Sequence, residues 1–370
     1  MPIVQLNEDV LHDIISILKR RDMLNFCATC RQAFDMTIPH FVSSVRLDRG
    51  DDQITAFCRF MLKVPDKRIP MLQHFDLVAF HNFSELQSQM TGSSLNLLAD
   101  VIERATNLQS LALAHAEAIL TVEPRIATAV RHCTHLKRID FTDVGKLARV
   151  LIRGLTDLRV IKLGHCRNVI PLLRLFRSAL EAAEFSITSE LDPEGFGGVG
   201  EWPLVRSLDV HLGSQDLDKR MTDLSRSFPN VQELRLHPLD LMAISPLWNG
   251  PRQDWSTLDY VEGSISSIYR MKLACLIREM RVMSFITEDE NTYIATYIAH
   301  VQQTRALLDL ARMARPSALS FALDSQRSRL LGDEFLKQLA SSAPNLRYLG
   351  LGVVCGNQFF EDIVSQYIQH

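Results

Sequence analysis

Ala343-Pro344-Asn345-Leu346-Arg347-Tyr348-Leu349-Gly350-Leu351 is the stretch that decides the fold. Its apolar residues Leu346, Leu349 and Leu351 fall at i, i+3 and i+5, and the closing alternation is that of a short strand with one face buried. Ala105-Thr106-Asn107-Leu108-Gln109-Ser110-Leu111-Ala112-Leu113 repeats the pattern. So do Cys133-Thr134-His135-Leu136 running to Ile139 and Phe141, Leu155-Thr156-Asp157-Leu158 running to Ile161 and Leu163, and Phe228-Pro229-Asn230-Val231 running to Leu234 and Leu236. A Thr or Pro stands two residues before the first apolar position each time.

Weaker copies start at Val42, Leu72, Ala182, Val205, Leu258, Met280 and Ala318, giving twelve strings spaced 22 to 38 residues apart. The intervals read as helices. Residues 94–104 place Leu97, Leu98, Val101 and Ile102 on one face, and residues 169–180 do the same with Leu172, Leu173, Phe176 and Leu180. In the longest interval Thr287 and Glu290 form a capping box, opening a helix that Pro316 stops after Arg315.

Strand, turn and helix thus recur about twelve times. No single unit can bury its own apolar face, so the units must stack. The predicted class is α/β: a curved parallel sheet with helices on the outer face, its first strands beginning near residues 45, 75, 110, 138 and 160. The alternative is an ordinary α/β protein whose buried strands follow helices. The period resembles that of irregular leucine-rich repeats of the ribonuclease-inhibitor-like class. That family places Asn or Cys after the third apolar position. Here only Cys166 does so; Ala116, Val144, Gly213 and Leu239 stand elsewhere, so an Asn ladder at that place is missing.

The composition fits such an array. Of 370 residues, 46% are hydrophobic and 22% charged, which argues against wholesale disorder. At about 150 residues per domain the length suggests two or three domains, unless a repeat array lets the core grow in one dimension. A net charge of -3 and a pI near 6.5, with no long basic stretch, disfavour a nucleic-acid or anionic-membrane partner. No window approaches a membrane span, and Asn7, Glu8, Asp9, His12 and Asp13 interrupt any secretory h-region. Seven dispersed cysteines read as reduced thiols of the cytoplasm or nucleus, where the sequon at Asn82 carries no meaning.

Residues 6–36 break the repeat. Leu6, Val10, Leu11, Ile14, Ile15 and Leu18 recur at helical spacing, with Asn7 as cap. Asp22 is placed to cap a second helix holding Met23, Leu24, Phe26 and Cys27, and Cys30-Arg31-Gln32-Ala33-Phe34 follows. Three helices in forty residues bury little apolar area and need a partner or the adjoining domain. The string resembles an F-box. Leu6, Val10, Leu11, Ile14 and Leu18 match its first helix, Asp22 and Leu24 its turn and second helix, and Cys30, Arg31 and Phe34 its closing segment. Asn7 stands where the family has Pro, and Thr29 where it has Val.

The resemblance implies an F-box at residues 1–40, a leucine-rich-repeat-like array at 41–370, and an α/β fold of the kind seen in fungal F-box proteins with degenerate repeats. It implies that Leu6, Val10, Leu11, Ile14, Leu18, Asp22, Leu24, Cys30 and Phe34 bind the adaptor Skp1 and, through it, a cullin-RING ubiquitin ligase. The chain would choose a protein substrate and carry no catalysis or cofactor. A leucine-rich-repeat scaffold outside any ligase is the alternative. Because apolar anchors of such helices meet a partner, Leu11, Ile14, Leu18 and Leu24 should be partly exposed in the isolated chain.

Other motifs reduce to local structure. Cys27-Ala28-Thr29-Cys30 is one CxxC without a second ligand pair, and His132-Cys133-Thr134-His135 sits where a helix gives way to a strand. The glycines at 195, 197, 198 and 200 lead through Trp202-Pro203 into a strand rather than into a helix N-terminus, so they lack what a phosphate cradle needs. Lys19-Arg20-Arg21 reads as a solvated helix end. His115-Ala116-Glu117 lacks a following P-C-x-x-C, and no nucleophile elbow, Walker A loop or HExxH is present. The substrate surface is expected on the strand residues between apolar positions: Arg235, His237, Asp259, Arg347 and Tyr348.

Overall fold

The computed structural model describes residues 7–78, 92–166, 169–187, 200–212, 224–238, 254–271, 273, 275–283, 293–324, 333–355, 358–360 and 366–367. It falls into two compact units, residues 1–166 and 167–370.

The first unit begins with three helices, α1 (Glu8–Ile17), α2 (Arg20–Cys27) and α3 (Arg31–Ser43). Five strands follow: β1 (Ser44–Leu47), β2 (His74–Leu77), β3 (Ser110–Leu113), β4 (Arg138–Phe141) and β5 (Val160–Leu163). Each pairs in parallel with the next, in chain order. Their starts at residues 44, 74, 110, 138 and 160 match the expected ones. The three apolar positions of every string are buried, and Leu108, Leu111 and Leu113 are wholly so. In the helix Gly92–Arg104, Leu98, Val101 and Ile102 face inward as expected; Leu97 is only half-buried, and Leu95 fills the core instead.

The second unit holds β6 (Ala182–Ile187), β7 (Ser207–Leu212), β8 (Glu233–Pro238), β9 (Thr257–Gly263), β10 (Leu276–Val282), β11 (Ala318–Asp324) and β12 (Tyr348–Cys355). All seven are parallel neighbours in chain order. Two unexpected strands, β13 (Gln358–Phe360) and β14 (Gln366–Tyr367), pair antiparallel with β12. The helix Tyr293–Ala314 fills the longest interval and ends just before Pro316. The capping box expected at 287 and 290 lies outside the described residues, and the helix expected over 169–180 shrinks to Ile170–Leu173 followed by a 3-10 turn.

Three strings sit in a different register from the expected one. Ala183 and Phe185 stand opposite Leu208 and Val210, so the string starts at Leu180 and not at Ala182. Ile277, Met280 and Val282 stand opposite Leu258, Val261 and Gly263, which moves that string from Met280 back to Ile277. Leu319 and Phe321 stand opposite Met280 and Val282, which moves the next from Ala318 to Pro316.

The residues around each string make the stacking specific. Asn107 donates its side-chain amide to the Pro70 carbonyl at 2.8 Å, and Asn230 does the same to Pro203 at 2.8 Å. Asn therefore does bridge successive units, but at the helix-to-strand junction rather than after the strand. One residue pair earlier in the string, Trp202 donates its indole N–H to Leu173 O at 3.0 Å and Trp255 to Phe228 O at 2.8 Å. After the strands, His115, Asp143 and His165 hold equivalent places, each left-handed at φ of 53°, 52° and 49°. Asp143 bonds His115 with one carboxylate oxygen and His165 Nδ1, at 2.9 Å, with the other.

Asp tolerates the left-handed region better than Ala, which has no side chain to hydrogen-bond locally. Asp143→Ala is expected to cost about 1–2 kcal/mol, from backbone strain and the two lost contacts. Asp143→Asn should lose clearly less. Urea unfolding midpoints at unchanged m-value measure both, and equal losses would show that backbone strain has no part in it.

Candidate functional site

Two surfaces gather the residues that the sequence singles out. The first is formed by the opening helices. Asn7 caps α1 by accepting the Asp9 N–H at 3.2 Å. Leu11 and Ile15, one turn apart, are 3% and 0% exposed. Val10, Ile14 and Ile17, at i, i+4 and i+7, form the other stripe and are 43%, 37% and 81% exposed. Leu24 on α2 is 49% exposed, and Leu18 is half-buried just past the end of α1. Ile14, Leu18 and Leu24 thus have the expected exposure. Leu11 does not: it lies on the inward stripe, and Ile17 takes the outward place.

Asp22 does not cap α2. That helix starts two residues earlier at Arg20, and its first turn closes with Met23 N–H on Lys19 O at 2.9 Å. Asp22 falls in the first turn, where its charge suits the positive helix end. Lys19-Arg20-Arg21 accordingly opens a helix instead of closing one. Cys30 caps α3, its Sγ accepting the Ala33 N–H at 3.4 Å, and Phe34 is half-buried. Leu6 lies outside the described residues.

The second surface is one face of β6–β10. Parallel register lines up Glu184, Asp209, Arg235, Glu262 and Arg281 in a row across five strands. One step along, His211 stands opposite His237, and the rings stack at 4.6 Å. His237 Nε2 is 3.1 Å from Asp209 Oδ1; His211 Nε2 is 3.8 Å from the same oxygen and 3.6 Å from Glu184 Oε1. Arg235 Nε is 3.5 Å from Glu262 Oε2, which accepts a 2.7 Å hydrogen bond from the Tyr260 hydroxyl. Asp209 Oδ1 and Arg235 Nε are nonetheless enclosed without a well-aligned hydrogen bond, so their contacts are those of charge at close range.

The Asp209 carboxylate, by polar contact and then by charge, raises the His237 pKa; Glu262 and Glu184 add to this, and burial opposes it. The Tyr260 hydroxyl is pushed up to about 12, first by burial and then by Glu262.

The residues expected at the substrate surface divide between two places. Arg235 belongs to the charged row, and His237 stands one step along from it, opposite His211. Asp259 does not: Tyr260 and Glu262 are the β9 residues opposite Glu233 and Arg235. Asp259 and Arg347 instead line a cleft of about 680 Å³ where β9–β12 begin, together with Arg278, Arg315, Ser317 and Asn345. Arg278 lies 3.7 Å from Asp259 there. Tyr348, half-buried, opens β12 opposite Ala318. Sequence reading missed Glu184, Asp209, His211 and Glu262. The signal was present, since His211 and His237 each stand six residues into their strings.

Cysteine chemistry is restrained. Burial pushes the Cys58 thiol up to about 12 and those of Cys133 and Cys275 up to about 11, and Cys166 is also buried. Gly200 leads through buried Trp202 into β7, while the preceding glycines lie outside the described residues. No helix among the described residues is long and apolar enough to cross a membrane. Compared with known proteins, the chain matches no protein-family model and no curated protein.

Proposed function

We propose that this chain is the substrate-recognition adaptor of a Skp1–cullin–F-box ubiquitin ligase. In this reading α1–α3 form the F-box, the repeating strands and helices form a leucine-rich-repeat-like array, and a face of that array takes a protein substrate. The carrying observation is that Val10, Ile14 and Ile17 on α1 and Leu24 on α2 are all left exposed, while Leu11, Ile15 and Ala33 pack inward. Burying the part of Val10, Ile14 and Leu24 that is still exposed against partner helices favours an interface by roughly 1 kcal/mol each, and Ile17, almost wholly exposed, by more. The chain supplies position and choice, and the transfer chemistry belongs to other subunits.

Ile17→Asp and Leu24→Asp test it. Both residues are exposed, so the folded chain should keep its circular dichroism and melting temperature. Co-purification with Skp1 should be lost, because a charge would be desolvated in an apolar contact. Leu18→Asp is the poorer choice, since Leu18 is half-buried and folding would suffer with binding. Failure of the unaltered chain to bind Skp1 would leave a scaffold outside the ligase.

A further inference from the structure

We propose that Asp209, His211 and His237 form a site for one divalent transition-metal ion of the zinc class. Their ligand-capable atoms lie within 4.8 Å of one another. A tetrahedral ion with bonds of about 2.0–2.1 Å holds its ligands about 3.3 Å apart. The Asp209 Oδ1 separations, 3.1 Å to His237 Nε2 and 3.8 Å to His211 Nε2, bracket that edge. Small side-chain rotations would bring all three onto one ion.

Three further features favour a bound ion over a set of surface ion pairs. First, Asp209 Oδ1 is enclosed yet accepts no aligned hydrogen bond, and a metal would satisfy it. Second, the backbone fixes the set. The β7–β8 register holds the two histidines side by side, and Asp209 precedes His211 by two residues, on the same sheet face. Third, the ion can reach the site: the His211 and His237 side chains are 33% and 31% exposed, while Asp209 is 15% exposed.

Ligand chemistry sets the class. Two imidazoles and one carboxylate suit zinc, cobalt, nickel or copper, whereas calcium and magnesium need mostly oxygen. Glu184, 3.6 Å from His211 Nε2, is placed as a fourth ligand or as a hydrogen-bond acceptor for bound water. Three ligands from the chain leave at least one position open toward solvent. Arg235 in the same row opposes the ion by charge, and Glu184 and Glu262 favour it.

The test uses the full chain after treatment with a chelator. Zinc titration by calorimetry should give one ion per chain. Cobalt should give visible bands of a four- or five-coordinate ion, with no thiolate charge-transfer band in the near ultraviolet. His211→Asn and His237→Gln should each weaken zinc by at least the roughly 10–100-fold that loss of an outer-sphere partner already costs. Glu184→Gln should cost less than either. Zinc should raise the melting temperature of the parent chain and leave that of the double histidine variant unchanged. The proposal is overturned by absence of saturable one-to-one binding, by histidine variants that bind as the parent does, or by a thiolate band. Should a variant fail to fold, the cobalt spectrum of the parent decides alone.

Discussion

Trp202→Ala is expected to destabilise the protein by about 3–5 kcal/mol, the range for removing a wholly buried large aromatic side chain. Trp202 is 0% exposed. Its ring stacks on Phe228 at 5.0 Å, and Phe228 in turn lies 6.3 Å from Phe185. The indole N–H is the partner of the Leu173 carbonyl, so Ala would leave both a cavity and an unsatisfied buried acceptor. Trp202→Phe separates the two terms. It keeps one aromatic ring, loses the hydrogen bond and leaves a smaller cavity than Ala, for an expected cost of about 1–3 kcal/mol. Chemical denaturation followed by tryptophan fluorescence and circular dichroism measures both. Equal losses for Ala and Phe would mean that the hydrogen bond, and not the packing, dominates.

Gly263→Val comes next in expected size. Gly263 sits in β9 between Leu236 of β8 and Val282 of β10. An added Cβ would lie 2.8 Å from the Leu236 carbonyl oxygen, 3.1 Å from Leu236 Cβ and 3.3 Å from Ile268 Cγ1. The carbonyl belongs to the backbone of a paired strand and cannot rotate aside as a side-chain tip would. Overpacking of this kind costs about 1–3 kcal/mol, with Val at the upper end. Gly263→Ala should fall between Val and the parent. A Val variant as stable as the parent would show that β8 yields at this point.

How far the sequence disclosed these positions differs by element. In the first unit every strand start was legible, although the strings lie 22 to 36 residues apart. In the second unit three strings were misplaced, each for a physical reason. A slide of two residues, from Leu180 to Ala182, preserves the alternation of a strand, so periodicity alone does not resist it. The slide from Ile277 to Met280 is as easy, because the string itself contains a three-residue step. That ambiguity hid the two ends of the charged row, Glu184 and Arg281, which lie on misplaced strings. Asp209, Arg235 and Glu262 sat in correctly read strings, each between the second and third apolar positions, and were legible as neighbours. Leu11 was expected outward, and Ile17 was not singled out, because helical spacing yields two apolar stripes on α1 and does not say which one faces inward. Asp22 was misjudged because a good capping residue also serves in a first turn.

The burial of Cys58, Cys133, Cys166 and Cys275 has a practical side. Alkylating reagents attack thiolates that they can reach. Among the thiols whose side chains are described, Cys27 and Cys30 are the ones not buried, and both flank the turn from α2 to α3. Label mapped to Cys27 or Cys30 in the native chain at neutral pH should therefore report on that one corner. Cys30 stands six residues beyond the exposed Leu24, so a partner seated on α1 and α2 would shield it. The rate at which Cys30 takes up label, with and without a candidate partner, then becomes a footprint of docking that requires no substitution anywhere in the protein.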